Sequence, residues 1–170
     1  MNEERPQAPN AFVRFTDRLA LACAAIASVF LAIAVVVICW MVVYRAMGNS
    51  TYWEIEFAVF MMVAALFLGS PYCLMTSGHV AVDLLSHYLP PDLKRPLAVF
   101  VCVVGLLVCL YLAWATGSHT LDVFLSGERT ESSWAPPLWP LYLTMPVGFG
   151  LTMVQYAAEL SRIRSGAPLP

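Results

Sequence analysis

Three polar side chains in the middle of the sequence have the spacing of metal ligands. His79, Asp83 and His87 are four residues apart, so a helix would place all three on one face. A zinc site needs three or four such ligands and further hydrogen bonds that orient them, and a single helix does not supply these. The same pattern is typical of the polar face of a helix lying on a membrane surface. We therefore expect the three residues to form the polar face of such a helix, where they are available for contact with a partner protein. We expect no metal ion.

Histidines can also hold a haem, and the sequence contains three of them, His79, His87 and His119. Axial ligation in a membrane cytochrome requires two histidines that face each other inside membrane-spanning helices. Here the histidines fall at or beyond the ends of the predicted helices, on opposite sides of the membrane. We expect no cofactor.

Glu54 and Glu56 stand at the start of a long apolar segment. A carboxylate deep in a membrane is costly and usually functional, as in proton-coupled transporters. Both residues fall within a turn of the predicted membrane surface, where that cost is smaller. One carboxylate is expected to stabilise the N-terminus of a helix. The other is expected to contact a partner beside Trp53, and the sequence does not tell which is which.

Motifs of catalysis are not found in the sequence. It has no G-x-S-x-G motif, no phosphate-binding glycine loop and no nucleophile paired with a base. A net charge of −2 also argues against a nucleic-acid partner, which would require a basic face. We therefore expect neither an enzyme nor a nucleic-acid-binding protein. The cysteines form no C-x-x-C pair and are interpreted as small apolar packing residues: Cys23, Cys39, Cys73, Cys102 and Cys109.

The elements that carry these residues follow from the spacing of the charges. Hydrophobic residues make up 60% of the chain and charged residues 12%, a balance typical of membrane proteins. Four gaps without Asp, Glu, Lys or Arg separate the charged residues, and each is longer than the roughly 20 residues that a helix needs to cross a bilayer. The chain is therefore predicted to be an all-α integral membrane protein, one membrane domain over residues 1–170 with four transmembrane helices. The spans are placed near 19–44, 56–76, 96–119 and 138–160, with a loop near 120–137 between the last two.

Shorter segments are predicted outside the spans. Residues 1–10 are polar and are expected to be disordered, and residues 79–89 fit a short amphipathic helix on the cytoplasmic surface between the second and third spans. Residues 12–19 either lie at the interface or extend the first span, and both interpretations stay open. Pro146 is expected to kink the fourth helix and to free a carbonyl near Tyr142.

The basic residues predict the orientation. With both termini in the cytoplasm, seven basic residues lie on the cytoplasmic side and two on the other, as the positive-inside rule requires. All five tryptophans then lie toward the outer surface, where aromatic residues form a belt. The residues expected to anchor the chain at the interface with phospholipid are Arg14, Arg18, Trp40, Tyr44, Trp134, Trp139 and Tyr142.

Three groups of motifs stand out along the sequence. They are GHVAVDLL at positions 78–85 with LPP at 89–91, WEIE at 53–56 leading to FLGS at 67–70, and PLWPLY at 137–142 followed by PVG at 146–148. Together they resemble the motifs of one family of membrane subunits, the small permease subunits of TRAP (tripartite ATP-independent periplasmic) transporters of the DctQ type. The departures are Ile55, which splits an acidic pair, and the absence of a basic residue before Gly78.

The resemblance implies a non-enzymatic subunit of the bacterial inner membrane. Its partners would be a large TRAP membrane subunit, which carries the substrate and sodium sites, and a periplasmic solute-binding protein. The chain would hold the large subunit in place during sodium-driven uptake of an organic acid. Close helix contacts through small residues are expected at Gly105, Ala113, Gly117, Gly148 and Gly150. Two alternatives are a free-standing small transporter and a membrane anchor of a redox complex.

Overall fold

The computed structural model describes residues 11–77 and 91–164, which form four α-helices. They are α1 (Ala11–Ala46), α2 (Glu54–Ser77), α3 (Pro91–Ser126) and α4 (Trp139–Arg164). Within these two ranges there is no β-strand, and the all-α prediction is confirmed. Three helices, α1, α2 and α3, are long and apolar enough to cross a membrane. The chain is thus a membrane protein. Residues 1–10 and 79–89 lie outside the described residues.

Two helices extend well past the predicted spans. Helix α1 begins at Ala11, so residues 12–18 continue the first helix and do not form a separate interfacial one. Helix α3 continues to Ser126, which corrects the loop that was expected to begin near residue 120. A charge such as Asp122 ends an apolar run without ending a helix. The helix stops only at Gly127, whose φ of 67° is a left-handed conformation that glycine adopts without strain.

Helix α4 is the centre of the bundle. It packs against α3 along most of its length, against α2 on the neighbouring face, and against α1 over a smaller area, while α1 and α2 pack on each other. The buried positions of the other three helices are mostly small residues, including Ala27, Ala64 and Ala98, whereas large apolar side chains face outward. This distribution is typical of membrane helices, which associate through close backbone approach because lipid provides no hydrophobic drive.

Two of the five small residues expected at close contacts lie where helices nearly touch. A Cβ atom on Gly148 would stand 2.6 Å from the backbone oxygen of Phe67 in α2, and one on Gly105 would stand 2.5 Å from the Tyr156 ring. At Gly117 the nearest atom would be at an ordinary 3.8 Å, and Gly150 faces open space. The backbones of α2 and α4 therefore meet at Gly148.

Hydroxyl groups accompany the prolines inside α2 and α4. A proline has no N–H, so it leaves the carbonyl four residues earlier without its helical partner. In α2, Pro71 leaves the Phe67 carbonyl without its helical donor, and the Ser70 hydroxyl donates to this carbonyl at 3.0 Å. In α4, Pro146 leaves the Tyr142 carbonyl without its helical donor, and the Thr120 hydroxyl of α3 lies 3.1 Å from the Tyr142 carbonyl oxygen. The carbonyl expected to be freed near Tyr142 therefore has a donor from another helix.

Candidate partner-binding site at the loop end of the bundle

Two ends of the bundle can be distinguished. The loop end comprises the C-terminus of α1, the N-terminus of α2 and the α3–α4 loop (residues 127–138). The terminal end comprises the N-terminus of α1 and the C-terminus of α4.

Glu54, at the loop end, is the first residue of α2 and is 5% exposed. Its Oε2 atom accepts hydrogen bonds from the backbone N–H groups of Tyr52 and Trp53, each at 3.1 Å. The carbonyl of Trp53 in turn accepts the first bond of the helix, from the N–H of Phe57 at 3.0 Å. A carboxylate in this position satisfies backbone donors that precede the helix and opposes the positive end of its dipole. The geometry thus gives Glu54 the helix-stabilising role.

Glu56 points to a different part of the molecule. Its Oε2 atom accepts a hydrogen bond from the Thr130 hydroxyl at 3.4 Å, and Thr130 lies 3.1 Å from the hydroxyl oxygen of Ser132. The contact joins α2 to the α3–α4 loop. Sequence reasoning did not identify Thr130 or Ser132. These two hydroxyl residues belong to a loop that was predicted to lie on the same side of the membrane as the two carboxylates. That shared side was the sequence feature that could have indicated the contact.

Aromatic rings extend this contact. The rings of Trp53 and Trp134 meet edge to face with centroids 6.2 Å apart, and Trp53 also contacts Phe57 at 5.9 Å. Both tryptophans remain partly exposed. Trp53 and Glu56 therefore both contact the α3–α4 loop, whereas Glu54 is buried and bonds to the backbone before α2.

The α3–α4 loop is internally bonded. Arg129 and Pro137 form an antiparallel bridge, in which the N–H of Leu138 donates to the Glu128 carbonyl at 3.1 Å. The Arg129 guanidinium donates to the carbonyl of Ala135 at 3.3 Å. The side chains of Glu128, Arg129 and Glu131 are exposed. The loop end thus presents charged groups on a defined backbone beside two half-exposed tryptophans.

Most of the predicted interface anchors also lie at the loop end. Trp40 and Tyr44 stack with centroids 6.0 Å apart near the end of α1. Trp139 packs edge to face on Phe124, and Tyr142 packs on His119 at 4.8 Å. Arg14 and Arg18 are exposed at the terminal end. His79, Asp83 and His87 lie outside the described residues, so the structure does not place them relative to these groups.

The terminal end contains an ion pair that the sequence did not reveal. The Arg162 guanidinium pairs with Asp17, and the Gln155 amide donates to the other oxygen of Asp17 at 3.3 Å. Gln155 is only 2% exposed, and Arg162 also pairs with Glu159 at 3.3 Å. These contacts tie α1 to α4. The partners are 138 and 145 positions apart in sequence, beyond the reach of any local pattern.

The buried polar side chains in the described part of the chain all have bonded partners. Thr16 donates to the Val13 carbonyl and Thr152 to that of Gly148, while Glu54, Thr120 and Gln155 make the contacts described above. Among residues 11–77 and 91–164 there is also no cluster of three His, Cys, Asp or Glu side chains that could hold a metal ion.

Comparison with known proteins gives the same family as the motifs. Residues 34–166 match the family model described as "Tripartite ATP-independent periplasmic transporters, DctQ component". The chain is 31% identical over 100 residues to the C4-dicarboxylate TRAP transporter small permease protein DctQ of Pseudomonas aeruginosa, covering 58% of this chain and 48% of that protein. It is 24% identical over 111 residues to the ectoine TRAP transporter small permease protein TeaB of Halomonas elongata, covering 65% of this chain and 57% of that protein.

The chain spans about half the length of the curated relatives it matches. No solved structure matches it. Because the family model covers most of the chain, from within α1 to the end of α4, the chain belongs to the DctQ family of TRAP transporter small permease components.

Proposed function

We propose that the chain scaffolds the large membrane subunit of a TRAP transporter and does not itself conduct the solute. This proposal is based on one observation, the hydrogen bonds that the buried polar side chains make. Within residues 11–77 and 91–164, each of them bonds the backbone or an adjacent helix, so no buried polar side chain of these ranges is left to line a path. The transported solute would be an organic acid, taken up with sodium through sites in the large subunit.

The names of the relatives support a separation of scaffold and substrate site. One relative is named for C4-dicarboxylates and the other for ectoine, two solutes of different chemistry. A small subunit that supports the large one need not change its own chemistry with the solute. The substrate of this chain's transporter would therefore be determined by its partners.

We place four spans in the inner membrane, with both termini in the cytoplasm. Helix α4 is less apolar than the other three, but at 26 residues it is about 39 Å long, enough to cross the bilayer. Its contacts with α1, α2 and α3 shield its polar side chains from lipid, which explains why a span can tolerate them. Arg14 and Arg18, exposed at the terminal end, would then lie near cytoplasmic phospholipid headgroups.

The loop end would face the periplasm and contact the solute-binding protein. Trp53, Trp134 and the exposed charges of the α3–α4 loop are the groups available for that contact. The helix expected at residues 79–89, with His79, Asp83 and His87 on its polar face, would contact the large subunit from the cytoplasmic surface.

Purification in a gentle detergent tests the scaffold role. An affinity-tagged form of the full chain, expressed at native level in its own host, should retain a much larger polytopic membrane protein in a fixed ratio. Mass spectrometry should identify that protein as a TRAP large subunit. Recovery of the chain alone, or with a haem protein whose absorbance is visible in an optical spectrum, would contradict the proposal.

A further inference from the structure

One side chain of α3 is bonded to the altered first turn of α4. The Thr120 hydroxyl lies 3.1 Å from the carbonyl oxygen of Tyr142 and 2.7 Å from that of Thr116, one turn earlier in its own helix. Thr120 is 7% exposed. A hydroxyl has one proton, so Thr120 shares it between the carbonyls of Thr116 and Tyr142. Because Pro146 cannot donate to Tyr142, the branch to Tyr142 gives that carbonyl a donor from another helix.

We propose that Thr120 is a positioning residue, which fixes the first turn of α4 against α3 and thereby sets the place of the α3–α4 loop over α2. The importance of that place for transport rests on the proposed function of the loop end. The positioning itself is a property of the chain alone.

The surroundings of the Tyr142 carbonyl make a donor necessary. A peptide oxygen without a hydrogen bond is costly wherever neighbouring side chains keep water away from it. Aromatic rings flank the position, since His119 packs on the Tyr142 ring and Phe124 packs on Trp139. Thr120 is the described side chain that donates to this oxygen.

A short path links the Tyr142 carbonyl to the partner-facing loop. The N–H of Tyr142 bonds to the carbonyl of Leu138, and the N–H of Leu138 bonds to the carbonyl of Glu128. The loop then reaches α2 through the hydrogen bond from Thr130 to Glu56. A first turn of α4 that is no longer fixed by Thr120 would loosen each of these bonds in turn.

The chain provides a matched control one turn away. Thr116 is also a threonine in α3. Among the described residues its hydroxyl bonds to its own helix alone, at 2.6 Å from the Leu112 carbonyl and 3.5 Å from that of Ala113. Thr116→Val and Thr120→Val make the same chemical change. Only the second removes a bond to α4.

A double-mutant cycle with Pro146 tests whether Thr120 serves the freed carbonyl. Reversible unfolding of the full chain in bicelles would be measured for Thr120→Val, Pro146→Ala and the double variant. Thr120→Val should shift the unfolding equilibrium about 3- to 15-fold, the range found for hydrogen bonds between membrane helices. In the Pro146→Ala background, where residue 146 regains its N–H, the same change should shift it less than about twofold, because the Tyr142 carbonyl again has a helical donor. An undiminished effect in that background, or an equal effect of Thr116→Val, would overturn the proposal.

Hydrogen exchange then tests the positioning. In Thr120→Val the amides of Thr130 and Leu138 should exchange faster, and Thr120→Ser, which keeps the hydroxyl, should restore the original rates. Unchanged exchange in Thr120→Val, or no recovery in Thr120→Ser, would refute the positioning role. If exchange changes as expected while the assembled transporter binds its solute-binding protein with the same affinity, the role of the loop in the proposed function fails and that of Thr120 stands.

Discussion

Two carboxylates separated by a single residue have different surroundings at the N-terminus of α2. Glu54 is buried and accepts hydrogen bonds from two backbone N–H groups. Glu56 is partly exposed and accepts one hydrogen bond, from a hydroxyl of the α3–α4 loop. A buried carboxylate that satisfies two donors is difficult to replace because its removal leaves both donors unpaired. The two residues should therefore respond differently to the same substitution.

Glu54→Ala should lower the free energy of unfolding of the chain by about 1–3 kcal/mol, because charge-assisted hydrogen bonds are lost and two backbone donors lose their acceptor. Glu56→Ala should lower it by less than about 1 kcal/mol, since it removes one long hydrogen bond near the surface. Glu54→Gln keeps an acceptor oxygen and should fall between them. Unfolding in mild detergent measures all three variants. A larger loss for Glu56→Ala than for Glu54→Ala would contradict the roles given to these residues.

There is a physical reason why the sequence alone does not tell which glutamate has which role. Both residues are glutamates in the same turn, and both oppose the positive end of the same helix dipole. What distinguishes them is the position of Thr130, which is 74 residues from Glu56. That position depends on where α3 ends and how the loop folds back, which no local pattern encodes.

At the scale of helices, the contact between α2 and α4 depends on one glycine, Gly148. At Gly148 a Cβ atom would meet the backbone of Phe67, which cannot move as the end of a flexible side chain can. Near it, the hydroxyl oxygens of Ser70 and Thr152 lie 2.5 Å apart, and the Phe67 ring packs edge to face on Phe149. The helices are in close contact here because residue 148 has no side chain.

Gly148→Ala should destabilise the bundle by about 1–3 kcal/mol, the usual cost of inserting a methyl group into a filled contact. Gly150→Ala is the control, because it lies two residues away in the same helix and faces open space. It should be neutral or stabilising by up to about 1 kcal/mol, since alanine is the better helix former. Thermal unfolding of the purified chain would measure both. Equal destabilisation by the two variants would show that the α2–α4 contact is not as close as described.

For residues 11–77 and 91–164, the sequence predicted the four helices well and their ends poorly. Charges are excluded from the apolar interior of a bilayer, so gaps between them mark candidate spans, including α4, whose lower hydropathy alone would hide it. A charge does not by itself end a helix, as Asp122 within α3 shows. Helix ends are instead fixed by local caps such as Gly127.

At the scale of the whole molecule, the helix predicted at residues 79–89 allows a direct test of the proposed support of the large subunit. Replacing this segment by a flexible linker of equal length should reduce uptake by the assembled transporter about tenfold or more, since the fixed part of the large subunit would lose a contact at the cytoplasmic surface. Solute binding by the periplasmic protein should be unchanged, because that protein folds separately.

Uptake in proteoliposomes and calorimetry of the isolated binding protein measure the two quantities. A linker of scrambled sequence that keeps the amphipathic pattern is the control, and it should retain more uptake than the flexible one. Normal uptake with the flexible linker would mean that residues 79–89 do not support the large subunit.

In the function that we propose, this chain supports transport without conducting the solute. Uptake of a panel of radiolabelled organic acids would be measured under an inward sodium gradient in liposomes that contain this chain alone, the large subunit and binding protein without it, and all three together. Uptake is expected only for the three together. Uptake by liposomes that contain this chain alone would contradict it.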